Sequence, residues 1–174
     1  MAEPERFTLD APDDAPVLSE AERLRLRRAL GRWPTGVAIA TCGRLEGPKA
    51  GLTINSFASV SLEPPLVLWS LAKTASVTPA FLEAPHFAIN VLEAGQEALA
   101  RRFAEVEDRF AGLALEPGIA ELPLIPGAIA VFECRREAVH PGGDHWILVG
   151  RVLRVTTRPG RALAFHQGMF RELA

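Results

Sequence analysis

The run Gly51-Leu52-Thr53-Ile54-Asn55-Ser56-Phe57-Ala58-Ser59-Val60-Ser61-Leu62-Glu63-Pro64-Pro65 gathers small hydroxyl and amide side chains where a strand usually carries bulky apolar ones. It begins as a strand, with Leu52 and Ile54 facing one way and Thr53 and Asn55 the other. The double proline then stops the pairing. Such a segment can let a flat, polar ligand lie against the backbone, with N–H groups and hydroxyls as hydrogen-bond partners. The same residues also read as an irregular, serine-rich edge strand.

Two further places carry chemistry. Ala72-Lys73-Thr74-Ala75-Ser76 sets one cation and two hydroxyls just before a short helix expected over about Ser76–Glu83. Unpaired N–H groups and the helix dipole there favour an anion. Its plainer reading is a Ser76 N-cap beside a solvated Lys73. In Gly142-Gly143-Asp144-His145, the histidine either opens a strand with its ring on Asp144 or works as a hydrogen-bonding group in a site. His140, Asp144 and His145 lack further close ligands for a metal. Cys42 and Cys134 are far apart, form no CxxC and read as small core residues. Trp33, Trp69 and Trp146 read as core or dimer-interface anchors. No nucleophile elbow, no GxGxxG after a strand and no GxxxxGK[ST] is present, which sets aside the Rossmann and P-loop routes to a nucleotide.

The elements that must position these residues fit one domain of 174 residues. Apolar content is 48% and the net charge is −2, so no global basic field favours nucleic acid or anionic lipid. No apolar run is long enough to span a bilayer. Residues 1–18 are expected to be a disordered tail before a folded domain over 19–174. Met1–Pro16 lacks the apolar stretch of a secretory signal, and a reducing cytoplasm is expected. Ser19 and Glu22 form a capping box for a helix over about Ser19–Arg32, with Leu24, Leu26, Ala29 and Leu30 as its apolar stripe. Strands are expected over Val37–Cys42, the opening run, Leu66–Leu71, His86–Leu92, Ala128–Val139 and His145–Thr157. A second short helix is expected over Gln96–Phe103. Residues 162–170 show little periodicity. Closely spaced strands with hairpin turns and short helices argue for an antiparallel barrel.

Taken in order, these pieces resemble the flavin reductase family, small FMN-binding split-barrel proteins that feed reduced flavin to two-component monooxygenases. The resemblance rests on Trp33-Pro34-Thr35-Gly36-Val37, the Gly51–Pro65 run, Phe87-Ala88-Ile89-Asn90-Val91-Leu92, Gln96 with Phe103-Ala104, Phe132-Glu133-Cys134, and Gly142-Gly143-Asp144-His145 leading to Val149-Gly150-Arg151-Val152. It covers about Arg28 to Leu173.

The resemblance implies a mainly β fold, a six-stranded antiparallel Greek-key split barrel with short peripheral helices. It implies a homodimer with FMN, or FAD, in a cleft near the dimer interface. It also implies NADH or NADPH as co-substrate and a reduced-flavin-dependent monooxygenase as partner, with no nucleic-acid or membrane role. By the resemblance, Thr53, Asn55 and Ser56 meet the ribityl chain and phosphate side, and Ile54 between them belongs to the cofactor-binding set. Ser59, Val60 and Ser61 offer backbone groups to the isoalloxazine edge. Ser70, Lys73 and Ser76 hold the phosphate. Phe103 and Phe110 lie by the adenine or phosphate side, and His145 lies near the ring face where nicotinamide docks. Family members often carry a tyrosine near the end; this chain has none, and Phe170 holds the place. A non-enzymatic FMN-binding electron carrier on the same barrel is the alternative. A pyridoxamine-phosphate-oxidase-like enzyme fits the Gly-Asp-His and serine-rich pieces less well.

Overall fold

A computed structural model of the chain describes Phe7 and residues 18–172. The expected tail therefore lies almost wholly outside the described residues. Helix α1 (Glu20–Leu30) starts as its capping box dictates: Glu22 N donates to Ser19 Oγ at 3.3 Å, and Ser19 N donates to Glu22 Oε2 at 2.8 Å. Its apolar stripe meets no core. No residue of α1 is buried, and Leu24 and Leu30 are 49% and 64% exposed. Local capping and end charges stabilise this helix.

Strands β1 (Thr35–Gly36), β2 (Ala38–Gly43) and β3 (Lys49–Ile54) follow. The opening run is not one strand. β3 ends at Ile54, Asn55–Phe57 forms a link, and β4 (Ala58–Leu62) begins beyond it. Then come β5 (Pro65–Ala72), α2 (Thr78–Glu83), β6 (His86–Val91), α3 (Glu97–Glu105), β7 (Glu116–Pro117), β8 (Pro123–Leu124), β9 (Ala130–Gly142), β10 (His145–Thr157), β11 (Leu163–His166) and β12 (Met169–Glu172). Seven strands form an antiparallel sheet in the order β3-β2-β6-β9-β10-β5-β4. The expected six-stranded barrel is thus corrected to a seven-stranded sheet, because the serine-rich run supplies two strands.

Those two strands are the sheet's opposite edges. In a flat sheet six strand spacings would hold them roughly 29 Å apart. The link from Ile54 to Ala58 can span at most about 14 Å. The sheet must therefore curl until its edges approach, leaving a split between β3 and β4.

The curl encloses Ala40, Ile54, Val67, Trp69, Leu71, Phe87, Ile89 and Leu148, with Phe81 of α2 closing one end. Trp69 meets the edges of Phe81 and Phe87, with centroids 5.0 and 6.0 Å away. Gly150 on β10 is needed for this packing: a Cβ there would stand 2.4 Å from Phe87 Cζ. The β9–β10 register slips beside Gly150 and again between Val152 and Arg154, in the stretch where the spacing of Val152 and Val155 suggests a twist or bulge. Cys42 and Cys134 flank Phe87 from both neighbouring strands, two spacings apart, too far for a disulfide. Burial pushes both thiols up to about 12.

A second cluster, with Val37, Ile39, Leu92, Phe103, Ile125 and Leu163, packs beneath α3. There the aperiodic residues 162–170 fold as the β11–β12 hairpin and pair with β1. Four-residue strands are too short to show a period. No helix among the described residues is long and apolar enough to cross a membrane.

Candidate functional site

Strand β5 is the ruler of the site. On one side it pairs with β4 through Ala58↔Leu68, Ser59↔Val67 and Ser61↔Leu66. On the other it pairs with β10, from His145↔Ala72 to Arg151↔Leu66. Ser56 joins from the link: its Oγ accepts from Ser70 N at 3.0 Å and donates to Ser70 O at 3.3 Å. The predicted residues thus run along β5 in the order Ser61, Ser59, Ser56 with Ser70, then Lys73 with His145. Val67 to Ala72 is five steps, or roughly 17 Å.

At one end, β4 pairs with β5 alone, so its outer backbone groups have no ladder partner. The register skips between Ser59 and Ser61, and Val60 is the extra residue. The result is a bulged ledge of free donors and acceptors, with Ser59 and Val60 exposed. Asn55, Ser59 and Ser76 are exposed, and their side chains make no hydrogen bond among the described residues.

At the other end Lys73 is held three times. Its N–H donates to Asp144 O at 3.0 Å, its Nζ donates to Gly143 O at 2.6 Å, and its ammonium lies 4.9 Å from the Trp146 ring centroid. Asp144 Oδ1 stands 2.6 Å from His145 Nδ1. A carboxylate accepts, so Nδ1–H is the donor, and in the neutral tautomer of the ring Nε2 is left as an acceptor. The hydrogen bond from His145 holds the Asp144 carboxyl below its usual range, and the charges of His145 and Arg23 add to this.

Several expectations change. Thr53 Oγ1 donates to Ala100 O at 2.6 Å, stapling β3 to α3, so only its lone pairs are left for a ligand. Ile54 is buried and faces the core. Phe103 is wholly buried; it packs edge-on to Phe110 with centroids 5.0 Å apart and offers no face to a ligand. Both rings press on Gly51, where a Cβ would meet them at 2.8 and 2.9 Å. The helix expected from Ser76 starts at Thr78; Val77 is its N-cap, no side chain caps it, and Pro79 removes one donor. Ser76 is therefore a loop hydroxyl. His145 neighbours Lys73 and not the Ser59–Ser61 ledge. Trp69 is core, while Trp33 is 76% exposed. Phe170 packs edge-on to Phe165, with Arg101 over its ring at 5.0 Å.

Sequence reasoning missed the Lys73–Gly143 and Lys73–Trp146 contacts. The signal was there in Trp146, one residue after the histidine. Cavities of about 410 Å³ lie along α1 and beside Pro85–His86. The residues strung along β5, with Ser59, Lys73 and Ser76 exposed, form a polar shelf.

This arrangement, an edge ledge joined through one strand to a Gly-Asp-His turn, can be set beside known proteins. Residues 30–174 match the flavin reductase like domain. The chain belongs to this family. Among its flavin reductase relatives, FMN reductase (NADH) SmoA of Agrobacterium fabrum is 54% identical over 144 residues, 83% of this chain and 82% of the relative. The flavin-dependent monooxygenase reductase subunit HsaB of Rhodococcus jostii is 38% identical over 160 residues, 90% of this chain and 82% of the relative. The solved structure of NADH:FAD oxidoreductase SgcE6 from Streptomyces globisporus superposes with a TM-score of 0.85 at 39% identity. It covers 100% of this chain and 95% of that one. SgcE6 has also been solved in complex with NAD and FAD fragments.

A flavin suits part of the predicted set. The β4 ledge supplies backbone donors, Asn55 and Ser59 supply free polar groups, and Lys73 supplies a cation within the same strand register.

Proposed function

We propose that this chain is an NAD(P)H:flavin oxidoreductase that takes FMN, or FAD, and supplies reduced flavin to a separate monooxygenase. The observation that carries this is the one-sided, bulged β4 edge tied through β5 to the Lys73–His145 turn, in a chain of the flavin reductase family. When bound, the flavin accepts a hydride at its N5 from C4 of the nicotinamide.

The residues of this chain bind and orient. Ser59, Val60 and Ser61 present backbone N–H groups that stay put as charge builds on a ring edge laid against them. Asn55, Ser56 and Ser70 line the middle of the shelf. Lys73 and Ser76 attract a phosphate. His145, its Nδ1 fixed by Asp144, holds Nε2 ready to accept an N–H from a carboxamide such as nicotinamide carries. Orientation of two flat rings is mainly a positioning task, which such a shelf can meet.

The chain acts as a homodimer in the cytoplasm. Leu62, Leu153 and Val155 are 89%, 50% and 47% exposed on β4 and β10, an apolar face that suits a second copy. The two unbridged, buried thiols suit a reducing compartment. The electron-carrier alternative has no specific observation in its favour.

The test is oxidation of NADH or NADPH by purified protein with FMN under air, followed at the nicotinamide absorbance band. Flavin-dependent loss of that band is expected. Its absence with both donors would sink the proposal. Sedimentation at micromolar concentration checks the dimer, with a monomer alone counting against it.

A further inference from the structure

Helix α1 buries none of its own residues, and one of its faces is basic. Arg25, Arg28 and Ala29, with Arg32 just past the helix, follow the i, i+3, i+4, i+7 spacing that puts side chains on one side. Phe7 is seated there. It lines a hollow of about 460 Å³ with Arg25, Arg28, Ala29 and Arg32, and the Arg25 guanidinium lies 5.1 Å from its ring centroid. Arg28 and Arg32 also line the neighbouring hollow, of about 410 Å³, that α1 shares with Gln167 and Gly168. Gln167 N donates to Gly31 O at 2.9 Å, so the β11–β12 turn is fixed against the end of the helix.

Arg27, Arg28 and Arg32 have no side-chain partner among the described residues. The helix C-terminus favours cations at Arg27 and Arg28, but guanidiniums crowded around two hollows repel one another. A carboxylate cover relieves that repulsion. The chain itself supplies one. Residues 1–17 carry Glu3, Glu5, Asp10, Asp13 and Asp14 against Arg6 alone. Phe7 belongs to that segment, and Glu5 and Asp10 flank it within about 10 Å of chain reach. The chain from Phe7 to Leu18 can extend about 36–40 Å. By helical rise, Leu18 and Ala29 are only about 16 Å apart. The length suffices to run back alongside α1.

We propose that the acidic segment 1–17 is the partner of α1, a strap lying on the arginine face, pinned by Phe7 and held by ion pairs to Arg28 and Arg32. The strap covers the face that the fold leaves without a packing partner. Its hold is mainly electrostatic. It therefore loosens as salt rises, because the screening length falls from about 10 Å at 0.1 M to about 3 Å at 1 M.

The test is paramagnetic broadening of backbone amide signals in the full chain. Cys42 and Cys134 are buried, so Ala2→Cys carries a nitroxide label selectively. At low salt the amides of residues 27–32 and 167–168 are expected to broaden. Arg28→Gln with Arg32→Gln, Phe7→Ala, and 1 M sodium chloride should each reduce that broadening by about half or more. The double Lys variant at 28 and 32 should keep most of it. Arg44→Gln, whose ion pair with Glu121 lies elsewhere, should leave it unchanged. Unchanged signals from the sheet show that each variant folds. No broadening at these amides overturns the proposal, and so does broadening that ignores both salt and the arginine changes. Dilution of the labelled chain with excess unlabelled chain should preserve the effect. Broadening that fades on dilution would assign the segment to a second copy and overturn a strap within one chain.

Discussion

Lys73 Nζ donates to the carbonyl of Gly143 at 2.6 Å, which ties the predicted phosphate lysine to the turn that carries His145. One side chain thus serves two ligands. Lys73→Ala should raise the Kd for FMN and the KM for the nicotinamide donor together, each by about fivefold, a modest effect because the ammonium is exposed. Riboflavin, which lacks phosphate, should lose less than FMN. Equal losses for both flavins would leave Lys73 only its role in holding the turn. Flavin titration beside steady-state kinetics reads both numbers.

His145 is oriented by Asp144, so the two should fail differently. His145→Ala should raise the donor KM with little change in flavin affinity. Asp144→Asn should give a smaller rise in the same constant. The sign of the pH effect follows from the lowered Asp144 carboxyl. Its pairing is fully present above the ordinary Asp value of about 3.9 and is lost only as pH falls through the lower folded value. Asp144 therefore stays ionised across pH 5–8, so a pH dependence of the Asp144→Asn difference inside that window does not come from the Asp144 carboxyl itself. An Asp144 carboxyl that titrates above pH 5, read by NMR, would contradict this pairing.

Gly51→Ala should destabilise the fold. Its Cβ would press at 2.8 Å on Phe103, which has no room to retreat. Overpacking of this kind costs about 1–3 kcal/mol, or a Tm lower by roughly 3–10 °C for a chain of this size. Thermal unfolding followed by circular dichroism checks it, with an unchanged Tm as the contrary result.

Cys42 and Cys134 should resist thiol reagents in the native state, because burial pushes both thiols up to about 12. Both should react at pH 8 once denaturant unfolds the chain. A colorimetric thiol assay with and without denaturant decides it.

Much of the strand framework was legible in the sequence. The buried strands announce themselves by unbroken apolar runs such as Val37–Cys42 and Leu66–Leu71, and α1 by its capping box. The split of the serine-rich run was not legible, because Asn55–Phe57 has no glycine or proline to mark a break. That split changes the strand count and moves Ser59 to the far edge of the sheet. In the site, the polar shelf was readable from residue type alone. Side chains already in use were not: Thr53 on Ala100 and Phe103 beneath Gly51 are contacts between segments about fifty residues apart, which no local pattern encodes. The start of α2 misled for a simpler reason. Ser76 looks like a cap, but the Thr78 hydroxyl bonds back to Ala72 O at 2.7 Å and the chain turns later.

The short Asn55–Phe57 connection has one more effect. It is a tether between the two margins of the curled sheet, so the width of the aperture is limited by covalent reach and not only by the side chains around it. A longer tether would let the margins drift apart with every contacting residue unchanged. In this fold the size of guest that can be held is written partly in the number of residues between two strands.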